Sequence, residues 1–321
     1  MSKSDNTKAI NSALSVLGNS GRVASQKKPL EVIETDIPEV NDYLFGTGGI
    51  PCGRIIELYA PESVGKSTFA YWLIGQVQKR EGTAALFDAE GSYLKDYGEK
   101  YGVNNDELII PEFFTGEDAL FKLKLLLATN TIDLIVVDSI PGLQPSKNVD
   151  DKDGSSKSMN QKLARADMLT NFFNDITGGY RVNGKALTDP KGKAKYIKDP
   201  ITGSDFHKSY QKKTCIIFIN HAKNKVGVMF GDKTSTPGGR SLKFASSMRI
   251  GMEYQKKSKQ INDLNQPLYK VINVTAAKNK LAPPLVKIQL KIATSGGIDI
   301  YEGKGDSADD WEFPEYGTGG D

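Results

Sequence analysis

The spacing of apolar positions along this chain changes several times, and each change marks an element. Ile10, Ala13, Leu14 and Leu17 recur at helical spacing, which predicts a short amphipathic N-terminal helix. A helix of that length is marginal alone and needs a surface to dock on, either its own domain or a neighbouring subunit. A Gly/Ser/Lys linker follows at 18–28. From residue 55 apolar runs alternate with helix-period stretches: a strand at 55–59, a helix at 66–79, a strand at 84–88, a helix at 94–101 and a strand at 108–111. A helix over 116–128 with Thr115 as its N-cap and a strand at 134–138 complete the series. The runs at 55–59, 108–111 and 134–138 are almost continuously apolar, as strands covered on both faces are. A helix over about 163–177 and a strand at 215–220 come next. Beyond residue 247 strands follow one another without helices, at 249–254, 268–277 and 286–293. The pattern predicts an α/β fold in which a mostly parallel central sheet is extended by antiparallel strands.

Composition narrows the class. With 321 residues, 38% of them hydrophobic, the chain can bury one large α/β core with appendages. The expected division is a helix and linker at 1–35, a core at 36–300 and a tail at 301–321. Net charge is only +3, so bulk charge announces no polyanionic partner, but its distribution is uneven. Residues 181–213 hold nine Lys/Arg against three acids, and residues 301–321 hold seven acids against one Lys. Two distant cysteines, Cys52 and Cys215, make no disulfide framework, which fits a reducing compartment. No apolar run approaches the ~18 residues of a membrane span, so a cytoplasmic protein is expected.

The candidate chemistry begins at Ala60-Pro61-Glu62-Ser63-Val64-Gly65-Lys66-Ser67-Thr68, between an apolar strand and a helix, the context a phosphate-binding loop requires. Its backbone N–H groups and the helix N-terminus would cradle phosphates, Lys66 would reach the β/γ oxygens, and Ser67 would place its hydroxyl on Mg²⁺. Ala60 stands where the motif usually has Gly, and Ala fits any ordinary backbone. The run Leu134-Ile135-Val136-Val137-Asp138 delivers Asp138 as a second group for the Mg²⁺ site. Strand 84–88 brings Asp88-Ala89-Glu90 to the same sheet edge, where ligands of open α/β sheets bind. Glu90 is the expected base for the attacking water, and Asp88 is expected to make a structural hydrogen bond. At 215–219 a core strand ends in Asn220-His221 and passes into a basic, Gly- and Thr/Ser-rich stretch that carries one aromatic, Phe230.

Five blocks, "GTGGIPCGRIIELYAPESVGKST" (46–68), "FDAEGSYLKDYGEKYGV" (87–103), "LIVVDS" (134–139), "IFINHAKNKVGVMFGDKTSTPGG" (217–239) and "AAKNKLAPP" (276–284), resemble successive blocks of the RecA family over roughly residues 40–300. The resemblance implies a RecA-type P-loop ATPase core. It also implies an ATP-dependent helical filament on single-stranded DNA that pairs it with homologous double-stranded DNA and exchanges strands. The segment 222–240 would be the second DNA loop, with Lys223, Lys225 and Arg240 on phosphates, Gly238-Gly239 opening a helix and Phe230 packing or wedging within it. The first DNA loop would be 150–161, with Arg165 just beyond it. His221 stands where the family senses the γ-phosphate, as in its phage-encoded branch. Tyr97 matches the adenine-stacking tyrosine, and Lys278 and Lys280 match lysines that reach ATP across the subunit interface, where Lys243 and Phe244 also lie. Residues 178–213 form an insertion relative to the family core, basic and aromatic enough for duplex capture or a partner contact, and equally readable as a solvated loop. The tail after 300 stands where bacterial members have a folded C-terminal domain. A RecA-fold helicase or accessory remodelling ATPase without strand exchange is the alternative reading.

Overall fold

The computed structural model describes residues 3–17, 23–26, 29–146, 157–179, 196–198, 205–207, 213–224, 234–257 and 261–302. Helix α1, Lys3–Leu17, comes first. Strands β1 (Val32–Ile33) and β2 (Ile50–Pro51) pair as a short antiparallel ribbon before the core. The parallel core consists of β3 (Ile55–Ala60), α2 (Lys66–Gln78), β4 (Ala84–Asp88), α3 (Lys95–Lys100), β5 (Leu108–Ile109), α4 (Gly116–Thr129), β6 (Leu134–Asp138) and α5 (Lys157–Gly179). Within 178–213, β7 (Tyr196–Lys198) and β8 (Asp205–His207) form an antiparallel hairpin. Strand β9 (Cys215–His221) returns to the core, and β10 (Lys223–Asn224) pairs with β11 (Thr234–Ser235). Helix α6 (Ser241–Ala245) leads into β12 (Met248–Lys257), β13 (Tyr269–Asn279), β14 (Lys287–Ala293) and β15 (Ile298–Ile300).

Nine strands make the main sheet, in the order β15-β14-β13-β12-β3-β9-β6-β4-β5. Neighbours from β12 through β3, β9, β6 and β4 to β5 are parallel, and β12 to β15 are antiparallel. This is the expected α/β sheet with its antiparallel extension. Side chains alternate across the sheet. Ile56, Leu58, Ile217 and Ile219 face the cluster built on α2, while Ile55, Ile216 and Phe218 face the cluster built on α4 and α5. Thr115 caps α4 by accepting from the Asp118 N–H at 3.2 Å.

Three expectations need correction. The 108–111 run was expected to be covered on both faces, but β5 is the sheet edge and Ile109 and Ile110 are exposed. Apolarity reports affinity for a nonpolar surface, and that surface need not belong to the same subunit. Helix α5 begins at Lys157, so the end of the stretch expected as the first DNA loop is helical and its remainder lies outside the described residues. The antiparallel strands are longer than their apolar runs, β12 reaching Lys257 and β13 reaching Asn279, because ladder hydrogen bonds extend past the buried segment.

Candidate nucleotide site and DNA interface

Parallel pairing sets the ends of β3, β9, β6 and β4 side by side. Asp88 is registered with Asp138, and Ala60 with His221. The loop Pro61–Gly65 therefore faces Glu90, Asp138 and His221 at one edge. Ala60 closes β3 outside the left-handed region, and the turn is made instead by Ser63 at φ 61° and Gly65 at φ 117°. Lys66 Nζ donates to the Ala60 carbonyl at 3.2 Å and the Pro61 carbonyl at 2.7 Å, so the ammonium lies along the loop that would wrap a phosphate. Burial holds its pKa below the usual lysine value, against the pull of Asp138, Glu90 and Glu62. An anion in the loop would offset that desolvation.

Asp138 is buried, and its Oδ2 has no hydrogen-bond partner among the described residues. Burial pushes its pKa up to about 6, with Glu90 and Asp88 adding to the shift and the Ser67 hydroxyl and Lys66 opposing it. A free carboxylate oxygen beside a hydroxyl is the donor set of a hard divalent cation. Among the described residues no three His, Cys, Asp or Glu side chains converge on a cation, so Mg²⁺ held by Ser67 and Asp138 would need phosphate and water oxygens to complete its shell. Asp88 accepts from the backbone N–H groups of Ser92, at 3.1 Å, and Tyr93, at 2.9 Å, fixing the turn into α3.

Glu90 accepts from the Ser139 hydroxyl and lies 3.5 Å from His221 Nε2, while His221 Nδ1 is 3.8 Å from Glu62. Glu90 and His221 keep 38% and 24% side-chain exposure, enough for water or phosphate to reach both. Tyr97 is on α3 and its hydroxyl bonds Thr68 Oγ1 at 2.8 Å. Its partly exposed ring sits at the mouth of the P-loop helix, edge-on to Tyr71.

Lys278 and Lys280 are elsewhere. Lys278 is registered with Arg249 on β12, and Arg249 with Glu57 near the start of β3. Lys66 bonds the Ala60 carbonyl at the other end of that strand, three residues and about 10 Å from Glu57 at about 3.3 Å each. Lys280, whose N–H bonds Ser247 beside Ile55, is five residues and about 17 Å from Ala60 along the strand. Lys278 donates to the carbonyls of Lys243 (2.6 Å) and Ser246 (2.8 Å), and Lys280 to that of Phe244 (3.3 Å). Burial, with Lys280 and Arg249 nearby, lowers the Lys278 pKa to about 8, against Glu57. Lys280, Arg240, Arg54 and the 71%-exposed Phe244 line a cleft of about 650 Å³ against α5.

The candidate DNA residues are dispersed. Arg165 is half-buried on α5, and its Nε donates to the Leu143 carbonyl at 3.1 Å. Gly238 and Gly239 take φ 92° and 76°; a Cβ on Gly238 would come within 2.8 Å of Leu169. The pair therefore secures a close approach to α5 and leads into a helix of five residues, which is a packing role that the sequence reading did not foresee. Lys223 begins the β10–β11 ribbon. Lys225 and Phe230 lie outside the described residues, as does the tail beyond residue 302. Sequence reasoning missed Ser139, Asn220 as more than a neighbour of His221, and Lys270, which donates to the Ser63 carbonyl at 3.4 Å. It also missed the buried Glu57–Arg249 pair, although a Glu inside "IIELYA" was a signal.

A strand, phosphate loop, helix, buried aspartate and poised glutamate at the carboxyl edge of a parallel sheet define a P-loop ATPase. The family model for the RecA N-terminal domain matches residues 10–181 and 205–299. The chain is 34% identical over 313 residues to Protein RecA of Lactobacillus johnsonii, covering 95% of this chain and 74% of that protein. It is 32% identical over 301 residues to Protein RecA of Zymomonas mobilis, covering 92% and 75%. With Protein RecA of Halalkalibacterium halodurans it shares 36% identity over 259 residues, covering 80% and 63%. The chain belongs to the RecA family of DNA-dependent ATPases and recombinases.

Proposed function

We propose that the protein uses ATP and Mg²⁺ to assemble a helical filament on single-stranded DNA and exchanges that strand with homologous double-stranded DNA. The observation that supports this most is the separation of the ATPase residues. Lys66, Asp138, Glu90 and His221 converge at one edge of the sheet, whereas Lys278 and Lys280 lie at the far end of β3. In this chain both ammoniums are held by the Lys243, Ser246 and Phe244 carbonyls and not by the loop, and in this reading a head-to-tail neighbour brings its own copies to the nucleotide. In this reading Ser67 and Asp138 hold the cation, which would neutralise charge on the β- and γ-phosphates. Lys66 binds the phosphates, Glu90 orients and deprotonates the attacking water, Tyr97 stacks on adenine, and His221 reports the γ-phosphate. The partner subunit's copies of Lys278 and Lys280 stabilise the charge that develops on transfer, so hydrolysis depends on assembly. Segment 222–240 leaves the strand that carries His221, and its Lys223, Lys225, Phe230 and Arg240, with Arg165, form the DNA contacts. No helix among the described residues is long and apolar enough to cross a membrane.

Electron microscopy with single-stranded DNA and a non-hydrolysable ATP analogue, paired with a strand-exchange assay, tests the proposal. Helical filaments that exchange strands are expected. A closed ring, or filaments that hydrolyse ATP without exchange, would favour a helicase or an accessory ATPase.

A further inference from the structure

A buried polar network crosses the sheet on the α5/α6 face, and nothing in the ATPase scheme accounts for it. Glu57 is 0% exposed in an otherwise apolar strand, where an ionised carboxylate is tolerated only with its oxygens satisfied. Arg249 Nε donates to Oε2 at 2.5 Å and Asn220 Nδ2 to Oε1 at 3.0 Å. The Arg249 guanidinium in turn lies over the Tyr59 ring, 4.5 Å from its centroid. Asn220, also 0% exposed, has every polar atom engaged. Its amide nitrogen also donates to the Pro237 carbonyl at 3.0 Å, and its Oδ1 accepts from the His221 backbone N–H at 3.0 Å.

The three partners of Asn220 belong to three different parts of the molecule. His221 ends β9 at the nucleotide edge, Pro237 is where the segment that left β9 comes back, and Glu57 is fixed in the core by Arg249. The limbs of that segment are themselves tied, Lys223 being registered with Ser235 and Asn224 with Thr234. A shift of the β9 end therefore moves both limbs through short, directional hydrogen bonds. An apolar side chain at 220 would let Pro237 slide past, because dispersion contacts are weakly directional.

We propose that Asn220 is a positioning residue that couples nucleotide occupancy beside His221 to the placement of the limbs at 222–224 and 234–237, with the Glu57–Arg249 pair as its fixed anchor. This rests on the ATP-dependent DNA binding proposed above. N220D keeps the side-chain shape, removes both donations and sets a carboxylate against Glu57. N220S keeps one donor and decides the matter if N220D does not fold. The measurements are single-stranded DNA affinity with and without a non-hydrolysable ATP analogue, the affinity for a fluorescent ADP analogue, and Tm. In a folded variant the ADP analogue should bind within about 2-fold of wild type while the ratio of DNA affinities drops by about tenfold or more, the scale of losing hydrogen bonds to a charged group. A folded variant with the wild-type ratio overturns the proposal, as does a parallel loss of nucleotide and DNA affinity. Wild-type protein whose DNA affinity ignores the analogue would instead overturn the ATP-dependent reading itself.

Discussion

The two ends of β3 carry opposite chemistry. At its carboxyl end Glu62, Glu90 and Asp138 gather around Lys66, with Asp88 beside Asp138, and burial raises Asp138 and lowers Lys66 in pKa. At its amino end Arg54, Arg240 and Lys280 line an open cleft, Lys278 beside them is depressed to about 8, and Phe244 projects outward. The carboxylates outnumber Lys66 and Lys270 at the first end, and cations dominate the cleft at the second. In the proposed mechanism, copies stacked head to tail bring the two ends together. The comparison teaches that the proposed dependence of hydrolysis on assembly would follow from where the sheet puts its two ends.

The strongest way to break that comparison is at the acidic end. Removing the carboxylate proposed to activate water, with E90Q, should slow ATP hydrolysis by about 10²–10⁴-fold while leaving binding of a fluorescent nucleotide intact. Turnover close to wild type in a steady-state assay would remove Glu90 from the mechanism. At the basic end, the K278A/K280A double variant should lose about 10–10³-fold in DNA-stimulated hydrolysis, the range of a missing transition-state cation. Mixing it with E90Q sharpens the point. Interfaces that pair an intact Glu90 with intact lysines re-form in roughly a quarter of random contacts, so the mixture should hydrolyse ATP faster than either variant alone. Lack of complementation would place both groups in one subunit's site.

The next effect is on stability. Asp138 has its folded pKa raised to about 6, above the unfolded value of about 3.9. The folded state therefore binds more protons between these values, and this group's contribution to stability falls as pH rises from about 4 to about 6 and stays low above that. At pH 7 D138N should stabilise the nucleotide-free protein by about 1–3 kcal/mol, measured by denaturant unfolding, while Mg²⁺-dependent nucleotide affinity is lost. A destabilised D138N would mean that Asp138 is satisfied without a cation. The smallest effect concerns Lys278, whose pKa of about 8 makes its charge drain away as pH rises past that value. DNA-stimulated turnover should decline a few-fold, by about 2–5 times, between pH 7.5 and 9, and K278R, which stays protonated, should flatten the profile. A K278R profile that falls as steeply as wild type would assign the titration to another group.

The sequence determined the local elements and the nucleotide edge. Apolar runs and helix-period stretches placed the strands and helices because each element must bury one stripe or face, and the P-loop with Asp138 and Glu90 was legible because strand–loop–helix order alone brings those residues to one edge. Only the tertiary structure decided the rest. That β5 is an edge, that Gly238 serves the approach to α5, and that Glu57, Arg249, Asn220 and Pro237 form one network all depend on which strands become neighbours. Residues 57, 220 and 249 share no local pattern. They meet because β3 is inserted between β12 and β9, and pairing partners in a parallel sheet are chosen by the packing of the whole core, which no local periodicity encodes.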